Sequence, residues 1–269
     1  MILKNFKNKK RNNTNDTQVT VFKRENFLKT QNVNVAPEDE EKHNEIIMFD
    51  DLVDDDIEIL DDSENYREFK TIDEAEQWGR SLYDSWGNKV KDFEREKKLS
   101  GLFEKGSWVY SPIEHYCGWE YQKINLYYRT GNEKIEDKYK YRAVRMSEEL
   151  LQAPRIPENI VVYRYVNEEC VNELLYATRF NESKQFCEKG FLSTSLVKEI
   201  AKDAPDNTVL LKLYVSKATV GAYVNSVVRR NEYEMLLQNN LFLRICKKPY
   251  WDEEYGMMMI ECKTTSFVM

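Results

Sequence analysis

The sequence predicts an α+β domain in which helices come first and strands follow. Before Pro157, apolar residues recur at intervals of three and four, as in residues 75–86, and this spacing indicates amphipathic helices. After Pro157, short runs rich in β-branched and aromatic residues are separated by turn-forming residues, which favours strands. The most unbalanced charges are confined to residues 1–64, so this α+β pattern belongs to the rest of the chain.

Charge divides the chain into a tail and a domain. Residues 1–37 carry 8 Lys or Arg and 2 Asp or Glu, whereas residues 38–64 carry 1 Lys and 14 Asp or Glu. Residues 65–269 hold 31 basic and 31 acidic residues and are therefore neutral overall. We predict a solvated, disordered tail over residues 1–64 and one folded domain over residues 65–269. The alternative for the acidic part is a docking peptide or a mask over a binding cleft.

The composition argues against several classes of protein. The five cysteines show no CxxC spacing and there are only two histidines, His43 and His115, so we predict no metal site. The neutral domain gives no reason to expect a nucleic-acid partner. No apolar run approaches the length of a membrane span, and residues 1–7 lack the apolar core of a signal peptide. Export, if it happens, is therefore expected to need another route or a presequence that this sequence does not include.

Local patterns predict the individual helices and strands. Thr71 and Glu74 form a capping box that begins the first helix, residues 113–129 form a helix or a pair of turns, and residues 145–152 form another helix. A short helix is also predicted over residues 168–176. The predicted strands cover residues 159–166, 190–196, 208–215, 232–237, 241–246 and 257–262.

Common nucleotide-binding loops are missing from the sequence. Residues 101–107 imitate a P-loop but lack the lysine that follows its second glycine. No GxGxxG follows a predicted strand, so a Rossmann site for a dinucleotide is not supported.

Two glutamates in the predicted strand 232–237 form a candidate pair of catalytic carboxylates. Alternate residues of a strand share a face, so Glu232 and Glu234 are expected to lie side by side, about 6.5–7 Å apart at Cα. One carboxylate can stabilise developing positive charge while the other accepts a proton, as in glycoside hydrolysis. Their mutual repulsion is expected to raise the pKa of one of them. Taken alone, two such glutamates more often form an ordinary solvated face.

An arginine and three hydroxyl side chains add to this pair. Arg164 follows Tyr163 in an otherwise apolar strand, where a buried guanidinium needs an anionic partner such as a pyrophosphate. An edge-strand arginine that faces water is the alternative. Ser193, Thr194 and Ser195 place three hydroxyls in one short segment, which by itself is compatible with a plain strand.

In this order and at these separations, the three motifs resemble the Arg/Ser-Thr-Ser/Glu-x-Glu mono-ADP-ribosyltransferase toxins. The similarity is to the enzymatic components of actin-modifying binary toxins and to vegetative insecticidal proteins. It extends over residues 66–269. The further segments that carry it are Phe69-Lys70-Thr71 to Trp86, Tyr116 to Arg129 with Ile124-Asn125, and Gly221-Ala222-Tyr223 to Glu234.

The resemblance implies a fold and a set of roles. The fold would be a two-sheet β-core with N-terminal helices packed on it and NAD⁺, the substrate, in a cleft. Glu234 would bond a hydroxyl of the nicotinamide ribose and stabilise the oxocarbenium ion, Glu232 would orient and deprotonate the target guanidinium, and Ser193 would hold Glu234. The residues expected to contact NAD⁺ are Arg164 at its phosphate, Tyr163, Thr194, Ser195 and Glu234. The residues expected on the side of the protein substrate are Tyr223, Arg229, Arg230 and Glu232.

Several positions depart from the pattern of that family. Tyr165 stands where iota-like members often carry a second arginine, Gly190 where an asparagine is frequent, and Lys212 where a further arginine is expected. Residues 228–230 lack the aromatic that relatives place there to meet the target. These departures bear on NAD⁺ affinity and on the identity of the target.

The expected activity is therefore that of a toxin or effector that transfers ADP-ribose from NAD⁺ to an arginine of a protein, with actin as the leading candidate. It would be secreted or delivered without a classical signal peptide, with or without a delivery partner, and would act in the cytosol of a target cell. The alternative is a weakly active or inactive binding module on the same fold, whose acidic tail engages a partner.

Overall fold

Helices form the first half of the fold, as predicted. The computed structural model describes residues 49–61, 63–91, 110–131, 134–205, 208–228, 230 and 232–266. The helices that precede the sheet are α1 (Ile72–Lys91), α2 (Pro112–His115), a π-helical turn (Tyr116–Glu120), α3 (Tyr121–Thr130) and α4 (Asp137–Gln152). Thr71 Oγ1 accepts a hydrogen bond from the Glu74 amide at 3.2 Å, which confirms the predicted start of α1. The predicted helix 145–152 is the second half of the longer α4.

The second half of the chain is rich in strands. Its elements are β1 (Ile160–Val166), α5 (Glu168–Phe180), β2 (Phe186–Glu188), β3 (Leu192–Ser195), β4 (Val209–Val215), β5 (Gly221–Tyr223), β6 (Glu234–Leu237), β7 (Leu241–Asp252) and β8 (Met257–Ser266). Short 3₁₀ turns lie at Phe49–Asp51, Asp54–Asp56, Lys198–Asp203 and Val224–Ser226. The predictions missed β2 and β5, which are three residues long and too short to show a period. They also placed the start of β6 two residues too early.

The eight strands of the described chain hydrogen-bond in the order β2-β7-β8-β4-β1-β3-β6-β5. All neighbouring pairs are antiparallel except β4 and β8, so the sheet is mixed. The link between β1 and β3 is one register pair, Tyr163 with Ser195. This narrow link joins a five-stranded part to a three-stranded part and corresponds to the expected two-sheet core. The α+β class and the packing of helices on the sheet are confirmed.

Helix α1 packs against β5 and the turn that follows it. Gly79 faces the ring of Tyr223 so closely that an added Cβ would collide with the ring atoms. At Gly87, an added Cβ would lie 2.7 Å from the Ser226 carbonyl oxygen. Because both glycines allow this close approach, helix α1 lies directly against the segment that leads to Glu232 and Glu234.

Residues 49–61, 63 and 64 pack on the domain, which corrects the predicted boundary at residue 65. Asp56 is 1% exposed, and its carboxylate pairs with Lys184 at 2.7 Å and Arg179 at 3.0 Å. The Glu58 amide donates to the Ile245 carbonyl of β7 at 2.9 Å. The domain therefore begins before residue 65, and residues 1–48 and 62 of the predicted tail lie outside the described residues. The contacts of this acidic segment are with α5, β7 and β8, away from β3, β5 and β6.

Candidate functional site

Glu234, the first residue of β6, is a buried carboxylate with a hydrogen-bond donor at each oxygen. The side chain is 4% exposed. Ser193 Oγ donates to Oε1 at 2.6 Å, and Cys117 Sγ lies 3.4 Å from Oε2. Burial raises the pKa of Glu234, and the charge of Glu232 adds to that rise, while the hydrogen bond from Ser193 opposes it. The predicted rise in pKa is therefore present, but its main cause is burial.

Glu232 does not share a strand with Glu234, so the predicted alternation of one strand is wrong here. Strand β6 begins at Glu234, and Tyr233 takes the left-handed backbone conformation with φ 49°. The Glu232 side chain is 54% exposed, and its Oε1 lies 3.8 Å from Arg230 Nη1. The two glutamates therefore lie in different environments: Glu234 is buried, and Glu232 is exposed to solvent.

The Ser-Thr-Ser segment fixes the glutamate segment through hydrogen bonds between neighbouring strands. Thr194 Oγ1 donates to the Met235 carbonyl at 2.6 Å, and Ser195 Oγ donates to the Glu232 carbonyl at 2.9 Å. Both hydroxyl side chains are buried. Because each hydroxyl donates its one proton to the backbone of the glutamate segment, neither Thr194 nor Ser195 has a hydroxyl proton left to donate to NAD⁺ in this arrangement.

Arg164 lies on β1 beside this segment. Its Nη1 donates to the Ser193 carbonyl at 2.7 Å, and the side chain is half-buried. Within the described part of the chain, no carboxylate forms an ion pair with Arg164. A guanidinium has five N–H donors, so most of them remain for an anionic ligand. Arg164 is also close enough to Tyr116 for its charge to oppose the rise in pKa that burial causes in that phenol.

Tyr163 and Lys212 lie on the opposite face of the sheet from Arg164. Neighbouring strand residues point to opposite faces, and Tyr163 is in register with Lys212 while Arg164 is in register with Leu211. Both side chains bond Glu68: the Tyr163 hydroxyl donates to Oε1, and Lys212 Nζ lies 3.2 Å from Oε2. The NAD⁺ contact expected of Tyr163 is therefore not supported, and Lys212 does not supply a second cation beside Arg164.

The positions expected to meet a protein substrate are only partly brought together. Tyr223 is buried against α1, and its hydroxyl donates to Glu76, so it does not face a partner. Arg230 is half-buried, and its carbonyl accepts from Asn225 Nδ2 at 2.6 Å, which holds it beside Glu232. Arg229 lies outside the described residues.

Asn125 of α3 ties the helices to the start of β3. Its Nδ2 donates to the Tyr116 hydroxyl at 3.1 Å and to the Phe191 carbonyl at 3.2 Å, and its Oδ1 accepts from the Phe191 amide at 2.9 Å. A Cβ at Gly190 would lie 2.9 Å from Asn125 Cγ. Glycine at this position therefore leaves the room that the Asn125 amide needs.

An ion pair between the exposed Arg129 and the buried Glu188 supports the same contact between α3 and the start of β3. Arg129 of α3 donates from Nε and Nη2 to the two oxygens of Glu188, each at 2.9 Å. Glu188 Oε1 also accepts from the Gly190 amide at 2.7 Å. Such two-pronged bonds fix the geometry of both partners. The resemblance marked Asn125 and Arg129, but nothing in the local sequence pointed to Cys117 or Glu188.

His115 is the histidine within the described residues, and it belongs to a different cluster. Its Nδ1 lies 3.4 Å from Glu120 Oε2, and Glu120 pairs with Arg142. Burial, with a contribution from the charge of Arg142, lowers the pKa of His115 to about 4. It is therefore neutral near pH 7.

No group of three or more His, Cys, Asp or Glu among the described residues is placed to hold a metal ion. None of the described helices combines the length and apolar character of a membrane span.

One comparison with known proteins identifies a family. The sequence profile of the family described as ADP-ribosyltransferase exoenzyme matches residues 75–261. Comparison with curated proteins gives no match.

Three solved structures share the fold. BECa, an ADP-ribosylating toxin of a C. perfringens binary enterotoxin solved with NADH, aligns with a TM-score of 0.55 and 22% identity over 75% of this chain and 50% of its own. C3stau2 from S. aureus, solved with NAD, gives 0.54 and 18% over 75% and 99%. C2-I, the enzymatic component of the C2 toxin from Clostridium botulinum, gives 0.51 and 18% over 71% and 48%. The aligned part is about half the length of BECa and C2-I and nearly all of C3stau2.

The profile match includes Arg164, the Ser-Thr-Ser segment and both glutamates, and the solved structures agree with it in fold. The chain belongs to the ADP-ribosyltransferase exoenzyme family.

Proposed function

We propose that the protein transfers ADP-ribose from NAD⁺ to an arginine side chain of a protein and releases nicotinamide. The observation that carries this proposal is the Glu234 carboxylate, which is buried, bonded by Ser193 Oγ at 2.6 Å, and close to an exposed second carboxylate. Membership of the family supports the class of reaction.

Glu234 acts on the nicotinamide ribose. When the bond between nicotinamide and the ribose breaks, positive charge develops on the sugar, and a fixed carboxylate in a dry site stabilises that charge strongly. Ser193 holds the carboxylate so that little reorganisation is needed. The pKa of Glu234 is raised by burial, and the carboxylate must be ionised for this role. Activity is therefore expected to fall at acidic pH.

Glu232 acts on the acceptor. Its side chain is half-exposed and separated from the dry environment of Glu234 by the left-handed Tyr233, so a guanidinium from another protein can reach it. The guanidinium nitrogen forms the new bond to the ribose carbon, and its proton passes to Glu232. Arg230, 3.8 Å from Glu232, lies on the same exposed rim.

Arg164 holds a phosphate of NAD⁺. Its guanidinium has one hydrogen bond to the Ser193 carbonyl and no carboxylate partner among the described residues, which leaves donors for a pyrophosphate. Because that carbonyl belongs to Ser193, which also holds Glu234, the same residue helps to place both the phosphate and the carboxylate.

We include in the proposal delivery into a target cell by a route other than a classical signal peptide, and actin as the first acceptor to test. BECa belongs to a binary enterotoxin and C2-I is the enzymatic component of the C2 toxin, so a separate delivery partner is part of this proposal.

The test is incubation of the purified protein with labelled NAD⁺, a host-cell lysate and, separately, purified actin. A labelled protein band, release of nicotinamide, and mass spectrometry that places the label on arginine would support the proposal. Absence of both label and nicotinamide release would contradict it. A label on another residue type would refute the arginine part alone.

The second candidate is an inactive module that binds NAD⁺ or a partner without transfer. The observation in its favour is that Tyr163 and Lys212 lie away from the site, which leaves Arg164 as the predicted phosphate contact on the Glu234 side. Calorimetry with NAD⁺ and an assay of nicotinamide release separate the two, since absence of NAD⁺ binding, or binding without release, would indicate the inactive module.

A further inference from the structure

Cys117 contacts the carboxylate on which the proposed function depends. The residue is 4% exposed, and its Sγ lies 3.4 Å from Glu234 Oε2, while Ser193 Oγ lies 2.6 Å from Oε1. The two oxygens of Glu234 thus each meet one donor, from two elements far apart in the sequence. A carboxylate held at both oxygens has a fixed orientation as well as a fixed position.

The backbone that carries Cys117 is itself fixed and irregular. Cys117 lies in the π-helical turn Tyr116–Glu120, and Gly118 has non-helical angles of φ −77° and ψ −118°. On one side of Cys117, the Tyr116 hydroxyl donates to the Phe191 carbonyl at 3.1 Å, and on the other side Glu120 pairs with Arg142. Single π-helical turns are frequent at functional sites because the extra residue redirects a side chain.

The environment keeps the thiol in the form that donates. Burial raises the pKa of Cys117 well above its ordinary value, and the adjacent negative charge of Glu234 raises it further. The thiol therefore keeps its proton at neutral pH, and Glu234 Oε2 accepts a hydrogen bond from the S–H group. The groups that lie near Glu234 from the surrounding elements are Ser193, Glu232, Cys117, Arg230 and Tyr116, and Arg164 lies near Tyr116.

We propose that Cys117 is a positioning residue for the reaction, whose S–H holds Glu234 Oε2 as Ser193 holds Oε1. This inference rests on the proposed role of Glu234. A donor to the ionised form favours ionisation, so Cys117 extends the pH range in which Glu234 is charged. A thiol is a weak donor, and a hydroxyl is expected to replace it well.

The experiment compares the full-length wild type with Cys117→Ala, Cys117→Ser and Cys262→Ala. Cys262 is another fully buried cysteine, in β8, and serves as the matched control for loss of a buried thiol. Cys117→Ala is expected to lower kcat for NAD⁺ hydrolysis about tenfold with little change in KM, and to move the acidic limb of the pH profile upward. Cys117→Ser is expected to restore both, and Cys262→Ala is expected to leave the limb unchanged.

A second readout keeps the inference independent of activity. The ¹³C carboxyl titration of Glu234, assigned by comparison with Glu234→Gln, should shift to higher pH in Cys117→Ala and return in Cys117→Ser. An unchanged titration, or equal loss in the alanine and serine variants, would overturn the inference. If the wild type releases no nicotinamide, the proposed function fails, and the titration alone decides the role of Cys117.

Discussion

Glu232 and Glu234 lie two residues apart but in opposite environments, because Tyr233 between them adopts the left-handed conformation. The Glu234 side chain is buried with Ser193 and Cys117, whereas the Glu232 side chain is 54% exposed next to Arg230. A buried carboxylate is suited to stabilise the positive charge that develops on the ribose, and a solvent-exposed one is suited to accept a proton from an incoming group.

The two glutamates should respond differently to removal of their charge. Glu234→Gln is expected to lower both NAD⁺ hydrolysis and transfer to protein by at least about a hundredfold, because the developing charge loses its stabiliser. Glu232→Gln is expected to lower transfer to a similar extent and to retain much of the hydrolysis, since water needs no guanidinium base. Nicotinamide release and label incorporation measure the two. Equal loss of hydrolysis in both variants would contradict the assignment.

Glu234 should reduce stability at neutral pH. Its pKa in the folded protein is raised above the ordinary value of 4.5, mainly by burial, so its contribution to stability is complete below that value and is lost as pH rises through the folded pKa. Glu234→Gln cannot ionise and should raise Tm at pH 7 by about 2–4 °C, which corresponds to roughly 1 kcal/mol in a domain of this size. The gain should vanish near pH 4. Calorimetric scans at both pH values check it, and a gain that is the same at both would exclude ionisation as the cause.

Arg164 should control NAD⁺ affinity, while Lys212 should not. Arg164→Lys keeps the charge but loses the two-pronged geometry, and is expected to weaken NAD⁺ binding about tenfold. Lys212→Arg is the matched control, because Lys212 lies on the other sheet face and pairs with Glu68. Titration calorimetry with NAD⁺ measures both. Similar weakening in the two variants would mean that the phosphate lies elsewhere.

Trp119 should matter for the protein acceptor and not for NAD⁺. The side chain is 84% exposed and lies two residues beyond Cys117, which touches Glu234. Trp119→Ala is expected to raise KM for the protein acceptor about tenfold or more and to leave NAD⁺ hydrolysis unchanged, since exposed tryptophans often anchor interfaces. Tyr176→Ala, which removes an aromatic with 53% exposure on α5, provides the control. An equal change in hydrolysis and transfer would place Trp119 with the dinucleotide instead.

Asp56 should stabilise the domain through its two cations. Burial alone would raise the pKa of Asp56, but hydrogen bonds from Lys184, the Val53 amide and Arg179 outweigh it, and the pKa is lowered. The stabilisation is therefore present above the ordinary value of 3.8 and is lost as pH falls through the folded pKa. Asp56→Asn is expected to cost about 1–3 kcal/mol at pH 7 in urea unfolding.

A control and a truncation complete this test. Asp54 pairs with Lys248 but is 94% exposed, so Asp54→Asn should leave stability essentially unchanged. Removal of residues 1–48 should preserve Tm, whereas removal of residues 1–64 should lower it, because only the second removes Asp56. Higher turnover after the second truncation would revive the predicted mask over the cleft, which the observed contacts of residues 49–64 do not support.

Much of the site could be predicted from the sequence because its members are strand residues with distinctive chemistry. Arg164, Ser193 and Glu234 were chosen from short motifs, and the structure brings all three together. The resemblance also implies Tyr163, Thr194 and Ser195 as NAD⁺ contacts, but on their own strands Tyr163 and Thr194 point to the opposite faces from Arg164 and Ser193, respectively. The hydroxyls of Thr194 and Ser195 donate to nearby backbone carbonyls. The contribution of Cys117 depends on a contact across 117 positions, which no local pattern reveals.

The sequence by itself determined the order of the helices and of the longer strands and pointed to the family, because periodicity and short motifs are local properties of a chain. Only the tertiary structure decided which glutamate is buried and which hydroxyl donates to its carboxylate. It also decided that residues 49–61, 63 and 64 belong to the domain. These depend on burial and on bonds between distant segments, and the two environments of Glu232 and Glu234 arise from one left-handed residue that the pattern Glu-Tyr-Glu does not specify.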